Sequence, residues 1–158
     1  FDALERRLPK PPVFSASSGF FATESAEPVP IPDNTLTLVT TGGVVRLELA
    51  PSPTFNNSRI WISGTGVGSD PYWTGYVQFQ RSGDGAEWEN LTSTDFGGYA
   101  NRTGTTCLPP GAFTFHDDPP AGTWSYRVLV NRHPSQADGV IHIDNVRLVA
   151  RELAAAES

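Results

Sequence analysis

From Thr35 onward, apolar side chains recur at every second position in short runs, and glycine, proline, aspartate and asparagine separate the runs. A period of two marks strands with one buried face, because successive side chains leave a strand on opposite sides. A helix would place apolar residues three or four apart, and no such pattern occurs in this region. The alternation commits the chain to an all-β fold.

The runs can be placed individually. Leu36 and Leu38 share a face; Gly42-Gly43 follows; then Val45, Leu47 and Leu49 share a face against Val44, Arg46 and Glu48. This pattern predicts a hairpin closed by the Gly-Gly turn. Ser58 to Ser63 reads as a short strand, and after a Gly-rich loop at 64–71, Trp73, Val77 and Phe79 alternate with Tyr76, Gln78 and Gln80. Ser82-Gly83-Asp84-Gly85 is the clearest turn, since Asp-Gly supplies the positive-φ residues of a tight hairpin. A polar loop is expected from about Ser93 to Pro110, then a strand with Phe113 and Phe115 on one face, then a turn from Asp118 to Gly122. Trp124, Tyr126, Val128 and Val130 should point inward, as should Ile141, Ile143, Val146 and Leu148. The phase slips at Asp144-Asn145, which predicts a β-bulge. About eight antiparallel strands suit a single β-sandwich or jelly roll.

The N-terminal region reads differently. Phe1, Leu4 and Leu8 have helical spacing, with Asp2, Glu5, Arg6 and Arg7 on the other side. Pro9, Pro11 and Pro12 end that helix, because proline lacks the amide hydrogen and biases the residue before it toward extended geometry. The segment 9–34, which includes the run PVPIP at 28–32, reads as an extended arm. The expected organisation is an N-terminal arm over 1–34 and a β-jelly-roll domain over 35–154.

At 158 residues, 38% hydrophobic, with four Trp, four Tyr and nine Phe, the chain can build one substantial core. Its net charge is −6, and apart from Arg6-Arg7 the basic residues are scattered, so no basic stripe points to nucleic acid. The lone Cys107 leaves no internal disulfide and no Cys-rich zinc site. No apolar run approaches the roughly 20 residues of a membrane helix. The chain has no Met, and whether a segment is removed upstream of Phe1 stays open.

Reactive motifs are missing where chemistry would need them. There is no G-x-S-x-G elbow, and the loop SGTGVGSD at 63–70 lacks the Lys-Ser/Thr ending of a phosphate cradle. His116, His133 and His142 include no i, i+4 pair. His116-Asp117-Asp118 reads as a solvated turn, Asp84 as a turn former, and Glu48, Glu87, Glu89 and Asp95 as solubilising carboxylates. No catalytic, cofactor-binding or metal-binding residue is assigned. Three N-x-S/T sequons, at Asn56, Asn90 and Asn101, follow from composition. Trp73 and Trp124 are in phase with apolar neighbours and read as core. Trp61 is out of phase with Ile60 and Ile62, and Tyr72 and Tyr99 fall near or in loops, so these three are the candidate surface-binding aromatics, able to stack on sugar faces.

Three stretches carry a family resemblance: LTLVTTGGVVRLEL at 36–49, FQRSGDGAEWENL at 79–91, and the pair DDPPAGTWSYRVLV and IDNVRLVARELA near the end. Together they resemble the small jelly-roll domains of bacteriophage tail, fibre and head-decoration proteins, similar in architecture to trimeric C1q-like and TNF-like domains. The resemblance spans roughly 35–154 and implies a non-enzymatic virion structural protein, without cofactor. It implies a homotrimer located in the virion, bound to other virion proteins such as the major capsid protein. The arm would make that attachment through Phe1, Leu4 and Leu8. The long arm and the loop 93–110 depart from the pattern. The alternative is a carbohydrate-binding module or receptor-binding domain for a host surface glycan, with Trp61, Tyr72 and Tyr99 as the platform. Neither reading involves nucleic acid or membrane.

Overall fold

A computed structural model describes residues 10–15, 19–52, 57–64, 72–99, 104–108, 113–134 and 139–153. Among them are twelve strands and no helix: β1 (Val13–Phe14), β2 (Phe20–Thr23), β3 (Val29–Thr40), β4 (Val45–Pro51), β5 (Arg59–Gly64), β6 (Tyr72–Gly83), β7 (Glu89–Tyr99), β8 (Gly104–Leu108), β9 (Thr114–Asp117), β10 (Gly122–Arg132), β11 (Val140–Asp144) and β12 (Val146–Glu152). All pairings are antiparallel, in sheets ordered β1-β12-β4-β9, β2-β11-β5-β8 and β3-β10-β6-β7.

The first two sheets are two halves of one creased layer, because the same four chain paths run through both. β1 leads to β2, β4 to β5, β8 to β9 and β11 to β12. Asn145 forms the crease at the predicted phase slip. It adopts φ 52°, donates its N–H to the Gly19 carbonyl at 2.7 Å, and accepts at its own carbonyl from Ser52 N–H and Ser58 Oγ. Asparagine tolerates the left-handed region better than most residues. One such residue inverts the phase, so Ile141 and Ile143 before it and Val146 and Leu148 after it all face inward, each 0% exposed.

The creased layer packs against β3-β10-β6-β7 as a sandwich. Val45, Leu47, Leu49, Ile60 and Ile62 meet Leu36, Leu38, Val77, Phe79, Tyr126, Val128 and Val130 in a single core. The predicted inward phase is correct for all of these. Trp124 is the exception: it is half-buried, with its indole N–H donating to the Pro120 carbonyl and Arg81 lying over its ring at 4.8 Å. The side chain of Trp73 lies outside the described residues.

Several expectations change. The strands over 36–49 exist but do not form a hairpin, since β3 pairs with β10 while β4 pairs with β12 and β9. The connection crosses between layers, held by the Glu152 carboxylate, whose Oε1 accepts from Thr40 Oγ1, Thr41 N–H, Thr41 Oγ1 and Gly43 N–H at 2.6–2.9 Å. Two inward-facing strands joined by glycines suit a hairpin or an arch equally well; a carboxylate 109 residues or more away selects the arch. The SGDG hairpin forms as predicted, with Asp84 and Gly85 at positive φ and Ala86 N–H bonded to the Gly83 carbonyl.

Much of the expected loop 93–110 is strand. β7 continues to Tyr99, and β8 covers 104–108. β7 is an edge strand whose outer stretch is polar, so it carries little apolar alternation; its inward anchor is Phe96, packed edge-on against Phe113 with ring centroids 5.8 Å apart.

The expected boundary at 34/35 falls inside β3. β1 and β2 pair with β12 and β11, and Ile31 is 1% exposed, so the segment 10–34 contributes two strands and the start of a third to the sandwich. Proline is compatible with such edge positions, where its missing N–H leaves no gap in the ladder. Phe1, Leu4 and Leu8 lie outside the described residues.

Asp117, expected in a solvated turn, is buried at the end of β9. It accepts two bonds from Arg81 Nη1 at 3.0 Å and one from Tyr126 Oη at 2.9 Å. Burial pushes the Tyr126 hydroxyl pKa well up, and the Asp117 carboxylate beside it adds to the effect.

Candidate binding surface

Alternation along β5 and β11 buries Ile60, Ile62, Ile141 and Ile143 and turns Arg59, Trp61, Ser63, His142 and Asp144 to the outer face of the creased layer. Trp61 and His142 are directly opposed across the two strands, and their rings stack with centroids 3.5 Å apart and planes 6° apart. Asp144 Oδ2 accepts from Arg59 Nε and from Trp61 Nε1, both at 2.8 Å, and the Arg59 guanidinium sits 4.9 Å from the Trp61 ring centroid. Ser63 Oγ and His142 Nε2 hydrogen-bond at 2.9 Å. Burial in the stack lowers the His142 pKa; Asp144 opposes that shift and Arg59 reinforces it.

A serine nucleophile would need its histidine oriented by a carboxylate at the other ring nitrogen. Asp144 instead bonds Arg59 and Trp61, so this cluster is a cross-strand clasp of ring, guanidinium and carboxylate. Among the described residues, no group of three or more His, Cys, Asp or Glu could hold a metal ion, and no helix is long and apolar enough to cross a membrane.

The three aromatics picked out from the sequence lie on strands of two different sheets. Tyr72 and Tyr99 are brought together as directly opposed partners at the end of the β6-β7 ribbon, although their side chains lie outside the described residues. Trp61 belongs to the other layer, and its ring is already engaged by His142 and Arg59.

Sequence reasoning missed a flank of edge strands. β1 and β2 form one edge of the creased layer, β3 forms an edge of the opposing sheet, and β3 packs beside both. These strands carry Phe14 (48% exposed), Phe20 (72%) and Val39 (64%), the three most exposed large apolar residues described. The adjacent pair Phe20-Phe21 was a readable signal, because one of two neighbours on a strand must face outward. An open edge with apolar side chains is a surface that proteins normally cover.

No known protein family and no curated protein matches the sequence. Among solved structures, the chain is similar to the TNF protein Eiger from S. frugiperda, at 13% identity and a TM-score of 0.45, covering 94% of this chain and 97% of that one. It is also similar to structures of infectious bursal disease virus: the Gx strain at 14% identity and TM-score 0.36, and the Gt strain at 9% and 0.39. This chain spans 40% and 38% of those viral chains, with 95% and 94% of its own length covered. TM-scores under 0.5 at such identities carry no function over to this chain.

Proposed function

We propose that this chain is a non-enzymatic structural subunit of a virus particle, a bacteriophage head-decoration (cement) or head/tail fibre protein. In this reading it assembles as a homotrimer through the flank formed by β1, β2 and β3, and its N-terminal segment attaches it to other virion proteins such as the major capsid protein. The observation that carries the reading is the exposure of Phe14 and Phe20 along the β1-β2 edge of the creased layer. Burying such side chains stabilises an interface at roughly 25 cal/mol per Å² of apolar area, and closed symmetry is the usual way for a repeated surface to cover itself. The phage-like stretches within 36–154 supply the setting.

The test is light-scattering mass of the full chain and of a Phe14→Ser/Phe20→Ser variant. The subunit mass is 17.1 kDa, so a species of three times that mass is expected for the parent and 17.1 kDa for the variant. A monomeric parent, or a variant that remains trimeric, refutes assembly through this flank.

A second reading is carbohydrate or receptor binding, favoured by the opposed Tyr72 and Tyr99. Loss of glycan-array binding in a Tyr72→Ala/Tyr99→Ala variant would support it.

A further inference from the structure

The β1-β12-β4-β9 half of the creased layer gathers arginines on its outer face. Register places Arg151 of β12 directly opposite Arg46 of β4, and Arg46 directly opposite His116 of β9. Opposed residues have Cβ atoms about 4.5–5.5 Å apart, and like charges there destabilise a sheet. This juxtaposition stands in a chain of net charge −6, so it is not the by-product of a generally basic surface. Arg147, four residues back along β12 and therefore on the same face of the strand, lies 4.3 Å over the Phe14 ring, and its buried Nε has no hydrogen-bond partner among the described residues.

Arg46, Arg147 and Arg151 line one shallow concavity of about 280 Å³, together with Phe14, Val149 and a single carboxylate, Glu48. Glu48 pairs with Arg46 at 3.1 Å, and among the described residues no carboxylate pairs with Arg147 or Arg151. Arginine forks match the two oxygens of a carboxylate or sulfate, and one anion between Arg46 and Arg151 would turn their repulsion into a shared attraction.

We propose that this concavity binds one sugar ring carrying a carboxylate or sulfate group. The anion sits between Arg46 and Arg151, the apolar face of the ring lies against Phe14 and Val149, and Glu48 accepts from ring hydroxyls. The alternatives fit less well. The volume is at the small end for a ligand pocket, enough for one ring and too little for a folded partner. An added peptide strand gains its affinity from free backbone groups at a sheet edge, whereas this hollow lies on a sheet face where β12 and β4 already pair. A polyphosphate chain needs many more cations than three. Phe14 lines this concavity and also belongs to the proposed trimer flank, so the two readings meet at that residue; Arg151→Gln alters the anion contact while leaving Phe14 and Phe20 in place, which lets either reading fail without the other.

The experiment is titration of the full chain, followed by amide NMR shifts, with N-acetylneuraminic acid, galacturonic acid and glucose 6-sulfate. Neutral glucose, inorganic sulfate and a penta-glutamate peptide serve as comparators. Saturable shifts at β4 and β12 with at least one acidic sugar are expected. Arg151→Gln should weaken them tenfold or more, about 1.4 kcal/mol, while the melting temperature holds or rises because the opposed charges are gone. The proposal is overturned if no acidic sugar binds at about 20 mM, more than tenfold above a millimolar Kd. It is equally overturned if glucose, sulfate or the peptide binds as well as the acidic sugars, or if Arg151→Gln leaves affinity unchanged.

Discussion

Replacing Glu152 by Gln tests how the two layers are joined. One carboxylate oxygen takes four bonds from Thr40, Thr41 and Gly43, and the other takes Lys10 Nζ, all with Glu152 only 4% exposed. Burial by itself would raise the Glu152 pKa, but the bonds from Lys10, Thr40, Gly43 and Thr41 outweigh it and hold the pKa down to about 2, against 4.5 for a free glutamate. A tenfold change in proton affinity is worth about 1.4 kcal/mol, so the difference corresponds to about 3 kcal/mol of folding stability. The folded-state pKa lies below the unfolded one. The contribution is therefore complete above about pH 4.5 and is lost as pH falls toward about 2. Glutamine keeps one acceptor for the crossover but lacks the charge, so Glu152→Gln should cost about 2–4 kcal/mol at neutral pH. It should also flatten the acid limb of the stability curve between those two pH values. Urea unfolding followed by tryptophan fluorescence at a series of pH values measures both effects. A variant within about 0.5 kcal/mol of the parent, or one with an unchanged acid limb, would show that the carboxylate does not hold the crossover.

Two further substitutions probe the core. Asp117→Ala leaves the Arg81 guanidinium without its buried counter-charge and the Tyr126 hydroxyl without an acceptor, so it should cost about 3–5 kcal/mol, and Asp117→Asn should cost less; a thermal-melt loss under about 1 kcal/mol would contradict this. Gly75→Ala should cost about 1–3 kcal/mol by overpacking, because the new methyl would sit 2.6 Å from Ile141 Cδ1 and 2.8 Å from Phe96 Cζ. The double variant Gly75→Ala/Phe96→Leu should recover part of that loss, and no recovery in a urea melt would locate the strain elsewhere.

What the sequence determined by itself is local. Alternation named the inward faces of β3, β4, β6, β10 and β12, because a period-two pattern has only two phases and burial chooses one. Asp84-Gly85 announced the β6-β7 turn, and the slip at Asp144-Asn145 announced the crease. Partners were another matter. Leu36 and Leu47 read alike whether their strands pair in one sheet or face each other across the core, and the choice rests on Glu152, far along the chain. The polar stretch 93–99 hid a strand because an edge position needs little apolar alternation. The proline-rich segment looked like an arm because prolines suit sheet edges as well as linkers. Trp61 was correctly read as outward, but its stack with His142 depended on a pairing between strands some 80 residues apart. The arginines appear scattered in the sequence for the same reason: Arg46 and Arg151 become neighbours only when β4 and β12 pair. Local propensities act over a few bonds, whereas cross-strand register is decided by how the whole core closes.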